Sequence, residues 1–459
     1  MRDPDDKGAG RVFVKTYGCQ MNARDSEAVA ALLVRAGYTL AVDETQADIV
    51  IINTCSVRSK AEDKAIGKLR LLATPRLRHG RIVGAVGCMV QRLGKATAER
   101  VKGLDFAVGP HRLHTLPAVI EAVRAGRGPV IDAGEPEEDR EPLTDRLPGG
   151  PLAFVNILLG CDRYCTYCIV PHVRGREWSR PGASVVAEVR TLAAQGVREV
   201  TLLGQSVMSY GRAKAVWPAD HVSPRGFVEP LPRLLEAVAT VPGLSRIRFT
   251  SGHPSGCTAE LGRAMAEVPG VCDHLHLPVQ SGSDRVLKRM HRGYTAADYL
   301  AAVARLREAV PTLALTSDII VGFPGETEED FEQTQALMEA AQFDNVYIFK
   351  YSPREGTPAA GWADDVPAEE KLRRNHVLLR DQDRRGLELN GAWVGKTVPV
   401  LAEGASLRNE ERWAGRTTTN KIVIFEPRPG LGVGDIVQIQ IERAAAQTLY
   451  GSLADGQAS

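Results

Sequence analysis

Long apolar runs, a strong charge of one sign and a dense set of cysteines are all missing from this 459-residue chain. No stretch reaches the roughly 18 uninterrupted apolar residues of a spanning helix, which excludes an integral membrane protein and any membrane partner through such a span. Lysine plus arginine number 57 and aspartate plus glutamate 56, a formal charge of +1. That balance excludes a nucleic-acid binder built on one basic field and leaves only local patches. Eight cysteines in this length are too few for a disulfide scaffold. The opening MRDPDDKGAG is polar and mostly acidic, without the basic-then-apolar layout of a secretory signal. A reducing, cytoplasmic setting is therefore expected, with cysteines that bind metal or do chemistry. What is present is ordinary: 44% hydrophobic, 25% charged, mean hydropathy −0.16. This is globular composition, and the length predicts two or three domains.

The organisation reads from strand and helix rhythm. RVFVKTYG, ADIVIINT and RIVGAVG predict strands, with helices over DSEAVAALLVRAGY and SKAEDKAIGKLRLLA between them. The second strand is continuously apolar, as in a parallel sheet buried on both faces. Cys19, Cys55 and Cys88 each follow a strand directly. In a parallel α/β sheet the strand carboxyl ends lie along one edge, so the three converge there, and the helix N-termini that follow favour thiolates. Singly, each reads equally as a small buried residue at a strand–helix corner. DAGEPEEDREPLTD, residues 132–145, holds seven acids, one arginine and two prolines. It predicts a solvated linker. Six further strands follow, AFVNILLG, REVTLLGQ, SRIRFTSGH, DHLHLPVQ, LTSDIIVGF and NVYIFKYS, most with a helix after them. Six βα units are too few for an eight-stranded closure, so a partial, open barrel is expected. Residues 212–230 read as a loop insertion. Near residue 388 the pattern changes to short alternating runs, VPVLAE, KIVIF and DIVQIQIE, which predict a small all-β barrel or sandwich.

After the first barrel strand comes GCDRYCTYC, with Cys161, Cys165 and Cys168 spaced C-x3-C-x2-C. A compact cysteine triplet points to a metal or iron–sulfur site. A Cys3His zinc site using His172, four residues on, is the competing reading. The spacing resembles that of the radical S-adenosylmethionine (SAM) superfamily. The resemblance implies a [4Fe–4S] cluster on these three cysteines, with SAM chelating the fourth iron. It places Tyr167 near the SAM adenine. It also implies close backbone approach to SAM at Gly204–Gln205 and at Gly322 and Gly325 of GFPGET.

The likeness extends further, over about residues 11–453. TYGCQMNARDSE, NTCSVRSKAEDK, VGCMVQ, GCDRYCTYCIVPHVRGRE, HLPVQSGSDRVLKRMHRGYT, VGFPGETEEDF and YSPREGTPA resemble the methylthiotransferases. GRTTTNKIVIF resembles the TRAM domain, which in that family binds RNA. The implied layout is an N-terminal parallel α/β sandwich (1–131) carrying an auxiliary cluster, an acidic linker (132–150), a partial (β/α)6 radical SAM barrel (151–387) and a TRAM-like barrel (388–455). The implied cofactors are two [4Fe–4S] clusters, on Cys161, Cys165 and Cys168 and on Cys19, Cys55 and Cys88, and SAM as both radical source and methyl donor. The implied reaction puts SCH3 on C2 of an adenine, and QMN and NTCSVR resemble the branch acting on N6-isopentenyladenosine at position 37 of the tRNA anticodon loop. Branches that modify threonylcarbamoyladenosine or a ribosomal-protein aspartate share the layout. An iron–sulfur electron carrier or RNA scaffold is the non-enzymatic alternative. A low-potential donor such as flavodoxin or ferredoxin and a monomeric state complete the expectation. Ser206 and Met208 stand where LLGQNVNSY has amides, and Gly252 departs from TSHP.

Other residues stay open at this level. Eight basic residues and no acid lie between Lys64 and Ala98, which suits a phosphate track or a solvated face. Trp393 and Trp413 could stack a base or pack a core. Lys288, Arg289, His291 and Arg292 form a second basic cluster of the same ambiguity. Cys257 and Cys272 carry no motif and read as structural, and His253, His274 and His276, near strand ends, read equally as a general base or as satisfied structural histidines.

Overall fold

The computed structural model describes residues 10–57, 59–135, 141, 143–147 and 149–454. It divides into two compact units. The first is Met1–Pro148 with Leu159–Asp162 and Cys168–Glu177; the second is Gly149–Leu158, Arg163–Tyr167 and Trp178–Ser459.

The first unit is built on six parallel strands, in the spatial order Thr39–Leu40, Arg11–Thr16, Ile49–Thr54, Ile82–Gly87, Phe106–Val108 and Val130–Asp132. Every residue of Ile49–Thr54 is buried, as its unbroken apolar run demands. Alternate residues feed two cores, Val50 and Ile52 on one face, Ile49 and Ile51 on the other. The three strands the sequence reading did not find have two or three residues each, too short to show a period. Helix Gln20–Arg35 starts five residues before the predicted DSEAVA segment, because Cys19 is already its extended cap. Helix Ser59–Ala73 covers the predicted residues. Within the acidic stretch, residues 136–140 and 142 lie outside the described residues. Its far end is not free in solvent: Arg24 donates to the carbonyls of Leu143 and Asp145 at 3.1 and 3.2 Å, and just beyond it Arg146 pairs with Glu27 at 2.9 Å.

The second unit carries six parallel strands in two three-stranded sheets. Glu199–Leu203 lies between Leu152–Asn156 and Arg246–Phe249, and Ala314–Val321 lies between His274–His276 and Asn345–Lys350. A single parallel bridge, Ile247 to Val271, carries the third strand on toward the fourth. This is the six-unit, incompletely closed barrel the segment count predicts. Its helices Gly182–Ala194, Pro230–Ala239, Ala259–Glu267, Ala296–Ala309 and Glu328–Ala341 return the chain between and after strands. The insertion before Pro230 forms neither strand nor α-helix.

Helix Ala368–Gly391 runs through residue 388, and the closed five-stranded barrel begins at Thr397. Trp393 and Trp413 pack against that barrel's core of Val400, Val423, Phe425 and Ile439. The barrel is fixed to the third strand of the parallel array. Arg248 donates to the carbonyls of Thr417 and Thr418 at 2.6 and 2.9 Å and to Glu199 at 2.8 Å, and Arg246 to those of Arg416 and Pro399 at 2.5 and 3.1 Å. No helix among the described residues is long and apolar enough to cross a membrane.

Candidate functional site

Strands Arg11–Thr16, Ile49–Thr54 and Ile82–Gly87 are parallel neighbours, so their following turns leave the sheet side by side. Cys19, Cys55 and Cys88 sit in those turns, and the structure brings them together. The Cys19 and Cys55 thiols lie near enough to shift each other's ionisation, and Cys19 Sγ donates to Asn22 Oδ1 at 3.3 Å. Two glycines make this closeness possible. Gly18, at φ +144°, has room for no Cβ, which would lie 2.8 Å from that of Cys55. Gly87, at φ +99°, would place one 2.4 Å from Asn53 Oδ1. The amide residues of QMN and NTC tie the turns. Asn22 Nδ2 donates to Asn53 Oδ1 and to the Thr54 carbonyl, both at 2.9 Å, and Thr54 Oγ1 donates to the Val86 carbonyl at 2.6 Å. Asn53 Nδ2 donates back to the Asn22 carbonyl at 2.8 Å.

The electrostatics of the three thiols differ. Sharing the Cys55 proton lowers Cys19, with help from the charge of Arg174 and against burial. The same sharing, with burial, raises Cys55. Burial raises Cys88, opposed by Arg174. That arginine is fully buried; its Nε lies 3.1 Å from Cys88 Sγ and its Nη2 2.6 Å from Asp25. His111 nearby is pushed down to about 4 by burial and then by the Arg174 charge, so it is neutral. Asn22, Asn53, Asp25 and Arg174 are site residues that the sequence reading did not single out, although all four fall inside its quoted motifs.

The C-x3-C-x2-C loop leaves the first strand of the second unit and ends in helix Val170–Arg174. Cys161 and Cys165 are buried and Cys168 is half-buried; all are free thiols. The Cys161 amide donates to the Gly175 carbonyl at 3.2 Å. In the second unit Arg292 places Nη1 3.3 Å from Cys165 Sγ and 3.5 Å from the Tyr167 hydroxyl, and Nη2 2.8 Å from the Pro278 carbonyl. Arg292 thus leaves the ambiguous basic cluster and becomes a buried partner of a cysteine. Tyr167 meets Phe323 edge-on at 6.4 Å.

Thiolates are the usual donors of iron–sulfur cubes, and both sets offer three. Among the described residues no three His, Cys, Asp or Glu side chains close around a point suited to a single metal ion, the two cysteine triplets included. For SAM, two buried acceptors are unpartnered at the carboxyl ends of adjacent strands, Asn156 Oδ1 and Gln205 Oε1. They suit a ligand rich in amino and hydroxyl donors. Gly204 lies against Leu158, 3.1 Å from where its Cβ would be. The amides of Gly322 and Gly325 are taken by Glu326 and Asp365, at 2.8 and 2.6 Å, and a Cβ on Gly322 would fall 2.3 Å from Lys371 Cγ, so the turn offers no free donors and is covered by Lys371 at Gly322. Ser206 bonds Ser209 at 2.9 Å, and Met208 is buried with its Sδ 3.3 Å from the His253 amide. Of the first basic run, Lys68, Arg78 and Arg92 pair with Glu44, Asp105 and Glu62, while Lys64, Arg70, Arg76 and Lys95 are exposed.

Residues 155–338 match the model of the radical SAM superfamily, 11–109 that of the uncharacterized protein family UPF0004 and 392–454 that of the TRAM domain. The solved structure of the radical SAM methyltransferase TsrM from Kitasatospora setae shares the fold at TM-score 0.55 and 16% identity, over 76% of this chain and 77% of that one. The fold is that of a radical SAM enzyme, a superfamily that uses SAM and a [4Fe–4S] cluster. The tRNA-2-methylthio-N(6)-dimethylallyladenosine synthase of Methylacidiphilum infernorum is 42% identical over 447 residues, 96% of this chain and 94% of that protein. The enzyme of the same name from Moorella thermoacetica is 45% identical over 449 residues, 96% and 98% of the two chains. The chain belongs to the radical SAM methylthiotransferase family.

Proposed function

We propose that this enzyme is a tRNA methylthiotransferase that replaces the C2 hydrogen of N6-isopentenyladenosine at position 37 by SCH3. It does so with [4Fe–4S] clusters on Cys161, Cys165 and Cys168 and on Cys19, Cys55 and Cys88. The observation that carries the reading is the second thiol set. A radical SAM module needs one three-cysteine site, and this chain gathers another at the sheet edge of its first unit. The curated relatives named for this reaction support the substrate. When bound, the clusters and SAM supply the one-electron chemistry, sulfur and methyl group that an unactivated C–H requires and that amino-acid side chains lack.

The chain's own residues hold and shield. Arg292 sets the cation beside Cys165 and orients Tyr167 for an aromatic face. Asn156 and Gln205 accept hydrogen bonds from SAM, and the turn Gly322–Gly325, with no free amide, meets it by packing alone. Lys64, Arg70, Arg76 and Lys95 offer phosphate contacts, and the five-stranded barrel adds RNA contacts. The proposed divisions are 1–131, 132–150, 151–387 and 388–455, in a cytoplasmic monomer fed by a flavodoxin or ferredoxin. Anaerobic reconstitution tests the reading. About eight irons per chain, with 5′-deoxyadenosine and a methylthio mass shift on isopentenylated tRNA, are expected. About four irons would remove the second site. Eight irons with modification only of threonylcarbamoylated tRNA would move the substrate to that branch.

A further inference from the structure

The sheet-edge site does not consist of its three cysteines alone. Arg174 lies six residues beyond Cys168, in the charged sequence HVRGRE. It is buried in the first unit, with Asp25 of helix Gln20–Arg35 on one side and Cys88 on the other. Helix Val170–Arg174 packs Ile169 and Val173 directly on Cys88. One short segment therefore brings both the apolar cover and the cation to the same sulfur. A guanidinium without water is held in place only if anions face it. The anion on hand is Asp25, and the sulfur of Cys88 is the acceptor at the other nitrogen. With Asp25 alone the pair would be neutral, and Nε would need no sulfur. Its 3.1 Å approach to Cys88 Sγ is a donor aimed at a ligand atom.

We propose that Arg174 is a positioning and charge-setting residue of the Cys19–Cys55–Cys88 site, donating to the Cys88 sulfur and raising the reduction potential of the cluster held there, with Asp25 as its opposing counter-charge. This rests on the two-cluster reading above. The physical basis is that hydrogen bonds to ligand sulfur and net positive charge nearby both favour the reduced, more negative cluster. Because Arg174 and Asp25 carry opposite charges, their removal shifts the potential in opposite directions, which a purely structural role does not do.

The test uses the full-length chain with Cys161, Cys165 and Cys168 replaced by alanine, so that only the sheet-edge site can hold iron. About four irons per chain must be found first; a chain without iron would defeat the two-cluster reading itself, and this proposal with it. The midpoint potential is then read by redox titration of the reduced-cluster electron paramagnetic resonance signal. Arg174→Met is expected to lower it, Arg174→Lys to return part of the shift, and Asp25→Asn to raise it. Unchanged potentials in Arg174→Met and Asp25→Asn, or shifts of the same sign, would overturn the assignment. Should Arg174→Met fail to retain iron, Asp25→Asn decides alone: a raised potential supports the assignment and an unchanged or lowered one overturns it.

Discussion

Replacing Arg248 by methionine keeps most of the side-chain volume and removes the charge that holds the C-terminal barrel in place. Three hydrogen bonds go, to Glu199 and to the carbonyls of Thr417 and Thr418. Both side chains of the ion pair are only 6% exposed, so Glu199 is left as a buried, unpaired carboxylate. Breaking such a pair costs about 3–5 kcal/mol. The chain has several domains, so one global unfolding energy is not the right readout. Hydrogen exchange in peptides covering residues 416–421 is, because the Asn420 amide there donates to the Thr417 carbonyl at 3.0 Å, the one Arg248 holds. A loss of about 3 kcal/mol corresponds to roughly 100-fold faster exchange. Arg248→Met with Glu199→Met should recover most of the protection, since a buried ion pair replaced by apolar residues is often close to neutral. Exchange altered less than about threefold in Arg248→Met, or no recovery in the double variant, would refute the docking argument.

Cys165→Ala should abolish SAM cleavage, whereas Cys55→Ala should still form 5′-deoxyadenosine without methylthiolated product; product at the normal rate from Cys55→Ala would contradict the separate roles of the two sites. Met208 fills space beside Gly256, whose Cβ would fall 2.4 Å from that of Met208, and its methyl carbon lies 3.1 Å from where a Gly252 Cβ would be. Met208→Asn should therefore open a gap and bury a poorly partnered amide, at a cost of about 1–3 kcal/mol read as faster hydrogen exchange in peptides covering residues 206–212 and 252–257. Burial, with the charge of Arg292 second, holds His253 down at about 3, against an ordinary value of 6.5. The folded state keeps it neutral, so its stabilisation is full above pH 6.5 and is lost as pH falls toward about 3. His253→Gln should flatten the pH dependence of local stability between pH 6.5 and 4.5 by about 2 kcal/mol, read from hydrogen exchange in peptides covering residues 252–257 after correction for the intrinsic pH dependence.

The architecture was readable where the chain repeats a period over many residues. The three long strands of the first unit, all six of the parallel barrel and three of the five strands of the C-terminal barrel declared themselves by unbroken or alternating apolar runs; Asn409–Arg416 and Thr448–Leu453 did not. Nor did Thr39–Leu40, Phe106–Val108 and Val130–Asp132, because two or three residues carry no period and owe their state to a neighbour's free ladder. The convergence of Cys19, Cys55 and Cys88 was readable from their place after three parallel strands, and the compact triplet of Cys161, Cys165 and Cys168 from its spacing. Arg174 and Arg292 were not. An arginine among other charges reads as surface, and only the fold shows that Cys88 and Cys165 stand beside them. Gly322 and Gly325 taught the converse: their turn was foreseeable, but that Glu326 and Asp365 occupy their amides was not.

The first unit is not a prefix of the chain. Its contacts include Leu159–Asp162 and Cys168–Glu177, which the ribosome delivers only after the first strand of the second unit. A polypeptide halted at residue 148 has its sheet but lacks Ile169, Val173 and Arg174, and so exposes Cys88 on the side they cover. During synthesis the sheet-edge thiols therefore stay open until about thirty more residues have emerged and the segment closes over them. Gene fragments meant to yield the N-terminal domain alone must end beyond Glu177 or supply those residues by another route.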